Sequence, residues 1–187
     1  CTINLALTAE KGQVFDGKYA MKFVYNETSN GWAGATISKE VNWSDCDALQ
    51  FYTIPDGKHQ KVVIQLTANG KVYETYLNEY EAYAENDGTV PIKVTIPFTD
   101  FVERDTQGNP AGGLAQDKTS ITSFGLWVNA IPGTDAIGDD GMVTGTIIYD
   151  VDFWNCLDFR HESAFMQGIF VRRVSAAVLD QRQTAPI

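Results

Sequence analysis

Two stretches, Lys61 to Thr67 and Lys71 to Leu77, alternate in character and are joined through Asn69-Gly70. Asn-Gly suits the positive dihedrals of a two-residue hairpin turn, so this segment commits the chain locally to antiparallel β-structure. Side chains in a strand point to opposite faces with a period of two. Val62, Ile64 and Leu66 therefore share one face, and Val63, Gln65 and Thr67 the other. The rest of the chain has to supply neighbours for this hairpin.

It does so repeatedly, in short runs punctuated by Gly, Asn and Pro. Thr2 to Leu7 reads as a first strand. Gly17 to Tyr25 reads as the next, with Tyr19, Met21, Phe23 and Tyr25 on one face and the turn formers Asn26 to Gly31 after it. Trp32 to Ser38 sets Ala33, Ala35 and Ile37 against Trp32, Gly34 and Thr36. Val41 to Cys46 reads as a connection with Trp43 tucked under it. Ala48 to Ile54 sets Leu49 and Phe51 against Gln50 and Tyr52, and Pro55-Asp56-Gly57 stops it. Asn78 to Asp87 reads as a polar, tyrosine-rich loop. Val90 to Phe98 returns as a strand whose Pro97 belongs at a sheet edge or bulge. Asp105 to Lys118 and Ile131 to Gly145 read as long loops, and Thr146 to Phe153 as the last strand.

Between those loops lies Ser123 to Asn129. Phe124, Leu126 and Val128 make an apolar face suited to a core; Gly125, Trp127 and Asn129 make the other. A small residue, a large ring and an amide on one face suit a polar, partly apolar ligand, although Trp127 could equally serve as cover for the sheet. Many short strands with almost no helical periodicity predict two antiparallel sheets packed face to face, an all-β sandwich. Phe124, Leu126, Val128, Leu49, Phe51, Ile64 and Leu66 are its expected core.

The 187 residues suffice for one domain with a substantial core. No apolar run approaches the roughly 18 residues of a membrane span, and the chain reads as soluble. A net charge of -10 argues against nucleic acid, whose partners collect Lys and Arg, and favours a neutral or basic partner. The start at Cys1 suggests a processed or excised piece. Cys46 and Cys156 lack metal or redox spacing and read either as a disulfide or as two buried thiols.

Composition changes after Cys156. Arg104 is the only arginine before that point, whereas Arg160, Arg172, Arg173 and Arg182 follow it. Phe165, Ile169, Val174 and Val178 recur near helical spacing, and Ser163 could cap a helix from about Ala164 to Gln181. Residues 1–157 are thus expected to form the sandwich, and 158–187 an atypical tail, linker or helix.

Four ordered motifs resemble a known family. They are Gly17-Lys18-Tyr19-Ala20-Met21-Lys22-Phe23, Trp43 to Phe51, Ile96-Pro97-Phe98-Thr99-Asp100-Phe101 and Ile148-Tyr149-Asp150, and together they resemble carbohydrate-binding modules of the family 11 type. The resemblance runs from about Gly17 to Phe153. It implies a jelly-roll sandwich, non-catalytic and extracellular, attached to a bacterial plant-cell-wall hydrolase. One sheet face would bind a single glucan chain, with Trp32 and the outer face of the Gly125 to Asn129 strand at the matching positions. The resemblance also implies a structural calcium, to which Asp150 and Asp152 match; the acidic opening strand expected of such a site is missing here.

The residue chemistry agrees with a sugar ligand. Pyranose rings have apolar C–H faces and a fringe of hydroxyls, so a site needs rings for stacking beside amides or carboxylates. Trp32, Gln50, Tyr52, Gln65, Glu74, Tyr76, Trp127 and Asn129 supply that mixture on the non-core faces. The expected partner is a β-glucan or mannan type polysaccharide, through mixed-linkage glucan, xyloglucan, glucomannan or a cellulose chain. A protein-binding adhesion domain is the alternative, and a jelly-roll glycoside hydrolase or lyase a further one. For catalysis, Glu79 and Glu81 have alternate spacing but no flanking apolar pattern. His59 and His161 lack a nucleophile or metal-ligand partner. Gly108 to Gly113 does not lead from strand to helix as a phosphate loop would. Asp135, Asp139 and Asp140 read either as calcium ligands or as a solvated acidic loop. A binding module is therefore expected rather than an enzyme.

Overall fold

The structure is a computed structural model that describes residues 1–88, 90–114, 118–131 and 137–150. Eleven strands among these residues form two antiparallel sheets. They are β1 (Thr2–Thr8), β2 (Ala20–Thr28), β3 (Trp32–Val41), β4 (Ala48–Ile54), β5 (Lys61–Ala68), β6 (Lys71–Tyr76), β7 (Ile92–Pro97), β8 (Val102–Arg104), β9 (Pro110–Gly113), β10 (Ile121–Asn129) and β11 (Met142–Asp150). One sheet runs β1-β2-β11-β4-β7 and the other β3-β10-β5-β6-β8-β9. The all-β sandwich expected from strand periodicity is the observed fold.

The hairpin of β5 and β6 closes where Asn-Gly requires, with Ala68 opposite Lys71 and φ of 50° at Asn69 and 74° at Gly70. Pro97 ends β7, an edge strand, where its missing N–H costs the ladder nothing. The turn before Trp32 is not a hairpin. β2 and β3 belong to different sheets, so this turn carries the chain across the sandwich.

The core lies between the sheets. Phe124, Leu126, Val128, Leu49, Phe51, Ile64 and Leu66 are all buried in it, as their shared inner faces predict. Trp43 is buried and stacks on Phe98, with ring centroids 5.5 Å apart. At roughly 25 cal/mol per Å² of apolar surface, each of these large side chains contributes on the order of 1.5–3 kcal/mol.

Several boundaries differ from the sequence reading. Within Asn78 to Asp87 a turn of 3-10 helix, Leu77–Glu79, runs into a four-residue helix, α1 (Glu81–Ala84). Leu77 and Tyr83 anchor this segment in the core, tertiary contacts that polar composition conceals. The Asp105 loop contains β9, whose Gly112 and Gly113 pair with β8 although they carry no strand pattern. The last strand starts four residues earlier than expected and spans Met142–Asp150. The expected tail helix, Asp135, Asp152 and Cys156 lie outside the described residues.

Candidate functional site

Register turns the outer face of the six-stranded sheet into a grid. One row holds Gly34 of β3, Trp127 of β10, Val63 of β5 and Tyr76 of β6. The row on one side holds Thr36, Gly125, Gln65 and Glu74. The row on the other holds Trp32, Asn129 and Lys61. Six of the eight expected site residues, Trp32, Gln65, Glu74, Tyr76, Trp127 and Asn129, thus share one face.

The other two do not. Gln50 and Tyr52 lie on β4, in the opposite sheet, and face the far side of the sandwich. Alternation within β4 identifies which side chains avoid the core, but not which sheet the strand joins. Both are already engaged there. Gln50 donates its amide to Thr95 Oγ1 at 2.7 Å, and Tyr52 packs on Phe15 with centroids 5.2 Å apart. Phe15 arrives because the loop between β1 and β2 passes over this face, tied down where Phe15 N–H and Asp16 N–H both donate to Asp150 Oδ2.

That tie bears on calcium. Asp150 is buried, and its Oδ2 accepts two backbone N–H groups. Among the described residues no three or more His, Cys, Asp or Glu side chains converge as a metal cage. Asp152, the other expected ligand, lies outside the described residues. Asp139 and Asp140 are exposed, and Asp140 Oδ1 accepts the N–H of Met142 at 3.0 Å.

On the six-stranded face two chemistries stand side by side. Toward β3 lies an aromatic corner: Trp32 and Trp127 have centroids 5.5 Å apart and planes inclined by 58°. The rings therefore touch. Toward β6 and β8 lies a polar cluster organised by Glu74. Its Oε2 accepts from Gln65 Nε2 at 3.0 Å and its Oε1 from the Tyr76 hydroxyl at 2.7 Å. Arg104 Nε lies 3.1 Å from Oε1, an ion pair rather than an aligned hydrogen bond. Val63, between Trp127 and Tyr76 in register, is only 3% exposed although it faces outward.

Tyr76 is flanked by cations. Lys61 Nζ lies 3.8 Å and Arg104 Cζ 4.5 Å from its ring centroid, within cation–π range. Burial, then the hydrogen bond to Glu74, pushes the Tyr76 phenol well above its ordinary value. Burial lowers the Lys61 ammonium. The phenol thus remains a neutral, stiff ring with a polar tip, and the surrounding side chains hold one another in place. Lys61 and Arg104 escaped the sequence reading. A lone arginine ahead of the tail was the available signal for Arg104, but a three-residue strand after a turn has no pattern to assign its face.

No catalytic arrangement emerges among the described residues. Glu79 and Glu81 are exposed, on the 3-10 turn and at the start of α1, as solvated charges would be. His59 is exposed in a turn at φ 55°.

Comparison with known proteins agrees with this picture. The family described as "Carbohydrate binding domain (family 11)" matches residues 2–131. No curated protein sequence matches. Among solved structures, a family 11 module from Clostridium thermocellum in complex with a beta-1,3-1,4-mixed-linked tetrasaccharide is similar over 80% of each chain, at 17% identity and a TM-score of 0.55. The family 11 module of cellulosomal cellulase Lic26A-Cel5E of the same organism is similar over 80% of this chain and 79% of its own, at 15% identity and 0.54. An exo-beta-agarase contains the fold in 22% of its length, matching 80% of this chain at 13% identity and 0.54. With the family match extending over more than half of its length, the chain belongs to the family 11 carbohydrate-binding domains, which bind carbohydrate and are not catalytic.

Proposed function

We propose that the outer face of the six-stranded sheet binds a single chain of a soluble plant cell-wall β-glucan, and that the domain thereby targets an attached, extracellular glycoside hydrolase. The observation that carries this reading is the meeting of Trp32, Trp127 and Tyr76 with Gln65, Glu74 and Asn129 on one face. Rings supply stiff apolar area for C–H faces, and amides and carboxylate take up the hydroxyl fringe. Neutral chains such as mixed-linkage glucan, xyloglucan or glucomannan suit the face better than crystalline cellulose. The inclined Trp32 and Trp127 planes make a corner that receives one chain and cannot lie flat on a crystal. The tetrasaccharide bound by the similar Clostridium module puts mixed-linkage glucan first among candidates.

Calorimetry of the protein against these glucans tests the reading. Saturable binding to a soluble glucan, weakened by Trp127→Ala in a folded variant, is the expected result. Binding unchanged by Trp127→Ala would place the ligand elsewhere.

A further inference from the structure

Gly34 and Gly125 both sit inside strands, where glycine weakens the sheet unless something approaches closely. Neither has a positive φ, so backbone freedom does not explain them. Space does. A Cβ at position 34 would fall 2.0 Å from Cε3 and 2.2 Å from Cδ2 of Trp127 and 2.7 Å from the Leu126 carbonyl oxygen, and one at position 125 would fall 2.8 Å from the indole Nε1. The indole therefore lies down along the sheet, across its cross-strand neighbour and the residue two before it. Its Nε1 has no hydrogen-bond partner, so packing alone sets the orientation of the ring.

We propose that Gly34, assisted by Gly125, is a positioning residue for glycan binding, which keeps the Trp127 indole flat as the floor of a corner whose wall is Trp32. The role rests on the glycan reading of this face. A flat indole turns its upper face outward for stacking, whereas a Cβ at position 34 would tilt it into the space a sugar ring needs. With Trp32 closing the β3 side, the chain leaves the floor the other way, over Val63 toward Tyr76 and Glu74. The glycan accordingly crosses the strands, advancing about one inter-strand spacing, about 4.8 Å, per strand passed.

The test combines calorimetry against soluble mixed-linkage β-glucan with far-ultraviolet circular dichroism. Two indoles this close and inclined couple their transitions, and the resulting couplet reports their mutual orientation. Gly34→Ala should lose at least tenfold in affinity and alter the couplet, while Gly113→Ala, whose Cβ would meet nothing within 4 Å, should change neither. In a Trp127→Ala background Gly34→Ala should lose most of its effect on affinity, because it acts chiefly through that ring, and only the contact with the Leu126 carbonyl remains. Wild-type affinity and couplet in folded Gly34→Ala, or an undiminished loss in the double variant, overturns the proposal. Should Gly34→Ala not fold, Gly125→Ala carries the test: a severalfold loss with a shifted couplet supports it, and no change in either overturns it. If Trp127→Ala itself binds as wild type, the glycan reading of the face fails. An altered couplet in Gly34→Ala would then show the packing argument standing without it.

Discussion

Trp32 and Trp127 stand one strand apart on β3 and β10, their ring centroids 5.5 Å apart and their planes inclined by 58°. Because the rings touch, their contributions to glucan binding should be coupled. Trp127→Ala and Trp32→Ala should each cost on the order of 2 kcal/mol, or about thirtyfold in affinity. The double variant should lose less than the sum, since either truncation already opens the corner. Calorimetry of the three variants against soluble glucan measures this; strict additivity would mean that the rings act on separate sugars.

The position of β4 makes a negative prediction. Gln50 and Tyr52 face away from the aromatic corner, so Gln50→Ala and Tyr52→Ala should leave glucan affinity unchanged. Tyr52→Ala should still lower the thermal midpoint, because it strips the contact with Phe15. A drop in affinity without a drop in stability would put the binding face on the wrong sheet.

Glu74 gathers Gln65, Tyr76 and Arg104 around one carboxylate. Glu74→Gln should loosen all three and weaken glucan binding severalfold. Its effect on stability should stay within about 1 kcal/mol, the usual value of a partly exposed ion pair. Matched affinity and melting measurements separate the two effects; unchanged affinity would confine the cluster to a structural role.

Glu27 is buried on the inner face of β2, and neither carboxylate oxygen has a hydrogen-bond partner. Burial pushes its carboxyl up to about 8, with the N-terminal amine pulling the other way. In the unfolded chain a glutamate titrates near about 4.3. Between these values the folded state binds one proton more than the unfolded state, so stability falls as pH rises. The contribution is full below the unfolded value and gone above about 8. Denaturant titrations across this window should show that slope in the wild type and a flatter one in Glu27→Gln; identical slopes would rule out Glu27 as its source.

Asp150 ties the loop between β1 and β2 to the last strand through two backbone amides on one oxygen. Hydrogen bonds to a charged group contribute about 1.5–3 kcal/mol each. Asp150→Ala should therefore lower stability by roughly 2–4 kcal/mol, allowing for partial compensation by water. The loss should be the same with and without a chelator. A loss that vanishes in chelator would point to a metal at this carboxylate.

Much of the fold was legible because its signals are local. Asn69-Gly70 specifies a turn whose dihedrals only a few residues tolerate, and the alternation of Phe124, Leu126 and Val128 assigns a core face without knowledge of any partner. The same alternation placed Trp127 and Trp32 outward. Helical turns at Leu77–Glu79 and Glu81–Ala84 were hidden because Leu77 and Tyr83 are held by distant core residues rather than by helical periodicity. β9 was hidden because Pro110 to Gly113 has no side-chain pattern and is a strand only through its pairing with β8.

By itself the sequence determined the strand periods, the tight turn, the core faces and the ring-and-amide chemistry of the outer faces, all set by residues within a few positions of one another. Sheet membership came from the tertiary structure alone, because a strand's period says which side chains face the core and not which sheet's core they face. That choice put Gln50 and Tyr52 on the opposite face from the other six expected residues and brought Lys61 and Arg104 beside Tyr76. It also laid Trp127 across Gly34, a residue of another strand whose missing side chain acquires meaning only when β3 pairs with β10.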